Sequence, residues 1–179
     1  MKFKKEILIT GGAGFIGSHL TRYFVKSCDA FLSLSRSVLD DLSMFTDSTF
    51  KKFIPHPSYD VFGNTIPKEK AIENLGLKPK DKHLLFFGFV RKYKGLDLML
   101  QAMSDNRIID LEIKLIIAGE FYDDKIEYTD MIADLGIAKN IIMKSDFIPA
   151  DKVKDYFCAV DKTTQTYRSA TQSGVTQIA

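Results

Sequence analysis

Two stretches of this chain place glycines next to groups able to hold an anion. The first is Gly88-Phe89-Val90-Arg91-Lys92-Tyr93-Lys94-Gly95. It joins an apolar run to an amphipathic one, so the order is strand, glycine, cations, helix start. At such a corner free backbone N–H groups and a helix dipole both favour negative charge, and a phosphorylated ligand is the chemistry that fits. Gly88, Arg91 and Lys94 are the candidate ligand residues; the other reading of Arg91, Lys92 and Lys94 is a set of solvated turn cations. The second stretch is Thr10-Gly11-Gly12-Ala13-Gly14-Phe15-Ile16-Gly17. Here Gly11 and Gly14 let the backbone turn tightly and approach a pyrophosphate, and Gly17 lets a helix pack closely on a strand. Two readings of this loop stand: dinucleotide binding through Gly11, Gly14, Phe15, Ile16 and Gly17, or a well-formed corner without ligand.

Other chemistry-bearing residues read as structural. His56 lies between Pro55 and Pro57 as a loop residue, and His19 and His83 sit within apolar patterns. Asp40-Asp41 and Asp123-Asp124 look like helix-start and surface carboxylates. Cys28 and Cys158 have no metal-ligand spacing and read as buried thiols, and no Cys/His cluster suggests a metal.

The elements that must carry these residues alternate. Short apolar runs at 7–9, 30–34, 50–54, 83–88, 113–118 and 140–143 predict strands, and 162–167 adds a polar, threonine-rich one. Helices are predicted at 18–26, 36–42, 67–76, 93–104, 124–135, 149–159 and 171–179. Ser35-Arg36-Ser37 offers an N-cap, Pro67 and Pro149 suit helix starts, and Gly76 and Gly136 suit helix ends. This alternation predicts one α/β domain over residues 1–179, a doubly wound, Rossmann-like fold with a mostly parallel sheet of about seven strands. The polar strand suits a solvent-facing edge.

With 45% hydrophobic and 27% charged residues the chain has the composition of a soluble globular protein. A net charge of +2, with the cations spread along the chain, gives no footing for nucleic acid. No apolar run approaches the roughly 20 residues a bilayer span needs, and the N-terminus lacks a signal-peptide pattern. A reducing cytoplasm is the expected location; the oligomeric state is not legible.

The wording TGGAGFIGSHL resembles the NAD(P)-binding loop of extended short-chain dehydrogenases, over about residues 5–26. That resemblance implies an acidic residue closing the second strand, where Ser33-Leu34-Ser35-Arg36 stands; Arg36 would meet a 2′-phosphate and favour NADP. It also implies a tyrosine with a lysine four positions later, and no tyrosine here has one. From Cys28 onward the wording changes. CDAFLSLSRSVLDDL, FFGFVRKYKGLDLMLQAM, IKLIIAGEFY and YRSATQSGVTQIA resemble the C-terminal, donor-binding part of GT-B glycosyltransferases of the family-4 retaining type. This implies that the glycine-to-basic turn and the loop Gln172-Ser173-Gly174 hold the diphosphate of a nucleotide sugar. Lys94 matches the family lysine. Phe89 stands where the family carries an arginine, leaving Arg91 to take its place, and Gln172 stands where the family carries its first motif glutamate. The second glutamate falls beyond Ala179.

The expectation is therefore a chimera, engineered or recombined. A dehydrogenase-like βα unit (1–27) precedes a truncated glycosyltransferase-like segment (28–179) with no complete catalytic machinery. Its expected ligands are a nucleotide, a nucleotide sugar or a nucleotide diphosphate, with NAD(P) at the first loop. Two alternatives accompany it: a hexosyl-transferring fragment that needs a partner domain, and an NAD(P)-binding oxidoreductase relic.

Overall fold

The apolar run at 83–87 forms one of the two inner strands of a four-stranded parallel sheet, as its near-continuous hydrophobicity requires of a strand covered on both faces. The computed structural model describes residues 30–55, 59–170 and 173–179. These fall into two compact units, one comprising residues up to Pro57 with Thr171–Ser173, the other Ser58–Ala170 with Gly174–Ala179.

In the first unit, β1 (Phe31–Ser33) and β2 (Lys51–Phe53) pair in parallel, Phe31 opposite Lys51. Helix α1 (Arg36–Asp41) connects them, followed by a 3₁₀ turn at Leu42–Met44. Ser35 is its N-cap, yet its hydroxyl meets Ser37 Oγ at 2.9 Å and makes no capping bond to the backbone. Lys51 closes the crossover by donating to Ser43 Oγ (3.0 Å) and to the Thr46 carbonyl (3.2 Å).

The second unit holds helix α2 (Lys68–Leu75), β3 (His83–Phe87), α3 (Leu96–Met103), α4 (Asn106–Ile109), β4 (Lys114–Ala118), α5 (Lys125–Asp134), β5 (Ile141–Lys144), α6 (Ala150–Ala159) and β6 (Lys162–Thr163). The strand order is β5-β4-β3-β6, all parallel. The chain thus steps outward from β3 through β4 to β5, then crosses back to β6 on the far side of β3. That reversal makes the end of β3 a topological switch point, where crevices form outside the carboxyl ends of the strands. Period-two alternation divides the sheet between two cores. Phe86, Leu115 and Ile117 pack with Leu96, Leu100 and Ile132 from α3 and α5, while Leu85, Ile116 and Ala118 pack with Tyr156 of α6. Each such fully buried Leu, Ile or Phe is worth about 1.5–3 kcal/mol of transfer free energy.

The α/β class with parallel pairing is what the alternation of elements predicts. Six strands are described, in two sheets, and the predicted strand at 7–9 and helix at 18–26 lie outside the described residues. Two elements are corrected. The polar strand predicted at 162–167 pairs only through Lys162–Thr163. Thr164 still donates its N–H (2.7 Å) and its hydroxyl (3.1 Å) to Leu85 O, but the chain then leaves the sheet, and the Thr166 hydroxyl donates to the Lys94 and Gly95 carbonyls. The helix predicted at 171–179 is a 3₁₀ turn at Val175–Gln177, with 171–172 outside the described residues. Helix α4, absent from the sequence reading, is a single turn capped by Asp105, whose carboxylate accepts from Arg107 N at 2.9 Å. Cys158 is a free, half-buried thiol. Among the described residues no helix is long and apolar enough to cross a membrane.

Candidate functional site

Beyond Phe87 the chain turns at Gly88 with φ of +93°, a conformation that L side chains rarely adopt. Its neighbour strand ends the same way at Gly119, φ +133°, where a Cβ would lie 2.5 Å from Gly88 O. Gly119 must therefore lack a side chain for β3 and β4 to end backbone against backbone, and Gly88 is required by its positive φ. Gly88 N–H donates to Ala118 O (2.8 Å) and Val90 N–H to Glu120 O (2.8 Å), so the pairing persists past the strands.

Arg91 leads into a 3₁₀ turn, Lys92–Lys94, and Gly95 ends it at φ +69° while serving as the N-cap of α3. This left-handed residue is why helix α3 starts at Leu96 and not at Tyr93, as the sequence pattern predicts. A Cβ on Gly95 would sit 2.2 Å from Thr166 O. Thr166 is the clamp: its hydroxyl lies 2.7 Å from Gly95 O and 3.2 Å from Lys94 O. Arg168 N–H adds a bond to Tyr93 O (2.8 Å), and its guanidinium pairs with Asp97 in the first turn of α3. The threonines of the polar segment thus secure the turn that carries Lys94.

Lys94 is only 8% exposed. Its Nζ stands 2.9 Å from where a Cβ on Gly88 would be, and 5.9 Å from the Tyr167 ring centroid. Burial, and then the Arg91 charge, push its pKa below the ordinary lysine value. Among the described ion pairs none includes Lys94. A buried ammonium without a carboxylate, held at the carboxyl end of β3, is a charge that an anion from outside would neutralise. The turn at Gly174-Val175 completes the corner. Val175 Cγ2 lies 4.0 Å from the same Gly88 Cβ position, and a Cβ on Gly174 would meet Tyr59 Oη at 3.3 Å.

Gly88 and Lys94 are therefore neighbours in one corner, which Val175, next to Gly174 in the chain, also reaches. Arg91 is directed elsewhere: its guanidinium lies over the Tyr122 ring at 4.7 Å, and Phe89 meets the same ring edge-on, also at 4.7 Å. Lys92 is solvated and 3.5 Å from Glu127. Of the three turn cations, Lys94 alone departs from the solvated reading. Arg36 is exposed, with its guanidinium 4.8 Å over Phe53, in the first unit. Ser173 is half-buried in that unit too. Gln172 lies outside the described residues, as do Gly11, Gly14, Phe15, Ile16 and Gly17. Thr166 and Tyr167 were not singled out from sequence; the one signal was a threonine-rich run where a buried strand should be apolar.

Among the described residues no group of three His, Cys, Asp or Glu is placed to hold a metal ion. No curated protein matches the sequence significantly. The fold matches solved glycosyltransferases. Sucrose-phosphate synthase from Thermosynechococcus elongatus superposes with a TM-score of 0.72 at 12% identity, over 94% of this chain and 43% of that one. The lipopolysaccharide glycosyltransferase WaaG gives 0.68 at 18% identity, over 81% and 40%. HepE from Anabaena, solved in complex with UDP and glucose, gives 0.65 at 14% identity, over 85% and 41%. The chain spans about two-fifths of the length of these proteins. Residues 67–164, more than half of the chain, match the sequence family described as Glycosyl transferases group 1, and they include β3, the glycine turn and Lys94. The dehydrogenase-like stretch precedes that match. This chain belongs to the group 1 glycosyl transferases.

Proposed function

We propose that the second unit is the donor-binding part of a glycosyltransferase and holds the diphosphate of a nucleotide sugar at Gly88, Lys94 and Gly174. The observation that carries this reading is the buried Lys94 ammonium, without a carboxylate partner, against Gly88 at the switch point of the sheet. Its chemistry suits a leaving group. When the bond between the sugar carbon and the diphosphate oxygen breaks, the electron pair stays on that oxygen, and a nearby ammonium neutralises the charge that builds there. The UDP bound by HepE makes UDP the first nucleotide to test.

On this reading the second unit supplies the donor side of a reaction that needs donor and acceptor held together. The test is titration calorimetry with UDP, GDP, NAD and NADP. UDP or GDP binding is expected, and Lys94→Ala is expected to weaken it about 10- to 100-fold, the worth of a charge-assisted contact of about 1.5–3 kcal/mol. An unchanged affinity in Lys94→Ala would remove Lys94 from the site.

A second proposal rests on the stretch Thr10–Gly17. We propose that residues 1–27 descend from a different, dehydrogenase-like source, making the chain a chimera, and that Gly14 and Arg36 hold NADP weakly. Gly14→Val is expected to abolish NADP binding and leave UDP binding intact. Absence of NADP binding to the unaltered protein would sink this proposal without touching the first.

A further inference from the structure

A cavity of about 310 Å³ lies along the outer edge of the sheet, beside β5, and is lined by Lys78, Lys114, Lys139 and Lys144 with one carboxylate, Asp81. Its position follows from the topology. Lys114 opens β4, Lys139 lies in the 3₁₀ turn before β5, Lys144 closes β5, and Lys78 follows the left-handed Gly76 that ends α2. The floor is apolar, made by Leu77 and Ile142 within the second core cluster.

Four lysines and one aspartate thus line an apolar floor, an excess of positive charge. Among the described ion pairs none includes any of the four. Lys114 Nζ instead donates to the Lys139 carbonyl at 3.1 Å, which fixes one ammonium at the cavity wall. A concave wall with one sign of charge over a low-dielectric floor concentrates oppositely charged solutes. Strand β4 stands between this cavity and the donor corner on β3, and Lys114 and Lys139 lie at the start of β4 and just before β5, at the end of the sheet opposite Gly88; Lys144 alone lies at the carboxyl end.

We propose that this cavity is a second anion site, taking a compact, multiply charged phosphate compound. The volume suits a small molecule and not a polymer. The same clustered phosphate oxygens occur in a free metabolite and in a phospholipid headgroup. The proposal does not depend on nucleotide-sugar binding at Lys94.

Tripolyphosphate is the probe, titrated into the full chain with ionic strength held constant by chloride and followed by amide NMR. The expected result is chemical-shift change at Gly76, Lys139 and Ile142 that persists in Lys94→Ala. The exposed pair Lys78→Gln/Lys139→Gln is expected to weaken this binding by about tenfold or more, with an unchanged melting temperature. Equal shifts with chloride alone, or undiminished binding in the double variant, would overturn the site. Sedimentation with phosphatidylcholine vesicles, with and without phosphatidate, then assigns the source. Phosphatidate-dependent pelleting lost in the double variant identifies a lipid headgroup; tripolyphosphate binding without pelleting identifies a free phosphate compound.

Discussion

Lys94 is the residue on which the functional reading turns, and its environment predicts how binding responds to pH. Its pKa is depressed by burial and by the Arg91 charge, so the ammonium is lost at a lower pH than from a solvent-exposed lysine. A diphosphate needs the charged form. UDP affinity is therefore expected to fall as pH rises through that lowered value, while a control nucleotide-binding protein relying on an exposed lysine holds its affinity further into the alkaline range. Calorimetry across neutral to alkaline pH checks this; a flat profile would mean that Lys94 does not contact the ligand. The sequence showed Lys94 beside a glycine but not its burial. Burial comes from Tyr167 and Val175, some 70–80 residues away, and no local pattern encodes that approach.

Among the elements, the short turn between β3 and α3 is held by sterics more than by propensity. Gly95 and Gly136 share a left-handed backbone, φ +69° and +66°. A Cβ on Gly136 would meet nothing within 4 Å, whereas one on Gly95 would strike the Thr166 carbonyl at 2.2 Å. Gly136→Ala is expected to cost about 1 kcal/mol, the strain of the conformation alone. Gly95→Ala is expected to cost about 2–4 kcal/mol, because a backbone atom must also move. Denaturant melts of the two variants separate the contributions, and equal costs would contradict the clamp. Legibility follows the same division. The apolar runs of β3, β4 and β5 and the glycine ends of α2 and α5 were plain, since period and turn chemistry are local. Strand β6 was over-extended because threonine favours strands; here the hydroxyls of Thr164 and Thr166 serve carbonyls of β3 and of the Lys94 turn. Helix α4 was missed because it is a single turn, too short for a helical period to show.

At the scale of the molecule, stability should fall in two steps as pH is lowered. His83 is fully buried with no hydrogen-bond partner on either ring nitrogen. Burial lowers its pKa, against the pull of Asp81 and Asp161 and with the push of Lys68 and Lys114. Below about pH 6.5 the unfolded chain takes up a proton that the folded one refuses, so stability declines from there downward. Asp161 behaves as a carboxylate held below its ordinary range by Lys68, at 2.5 Å, and by the His83 N–H, at 2.8 Å. Its contribution is lost at lower pH, as the folded carboxyl protonates. His83→Leu is expected to remove the upper step and Asp161→Asn the lower one, as read by thermal melts across acidic pH; a single step unchanged in both variants would refute the assignment. The depressed pKa of Lys94 has one more consequence, in reactivity. A neutral amine is the nucleophile towards acylating reagents, and Lys94 offers a larger neutral fraction at neutral pH than an exposed lysine does. On the proposed reading, a corner that admits a diphosphate also admits a small reagent. Sparing treatment with such a reagent should therefore mark Lys94 ahead of the chain's other lysines, UDP should shield it, and unfolding should erase the preference, all readable by peptide mass mapping.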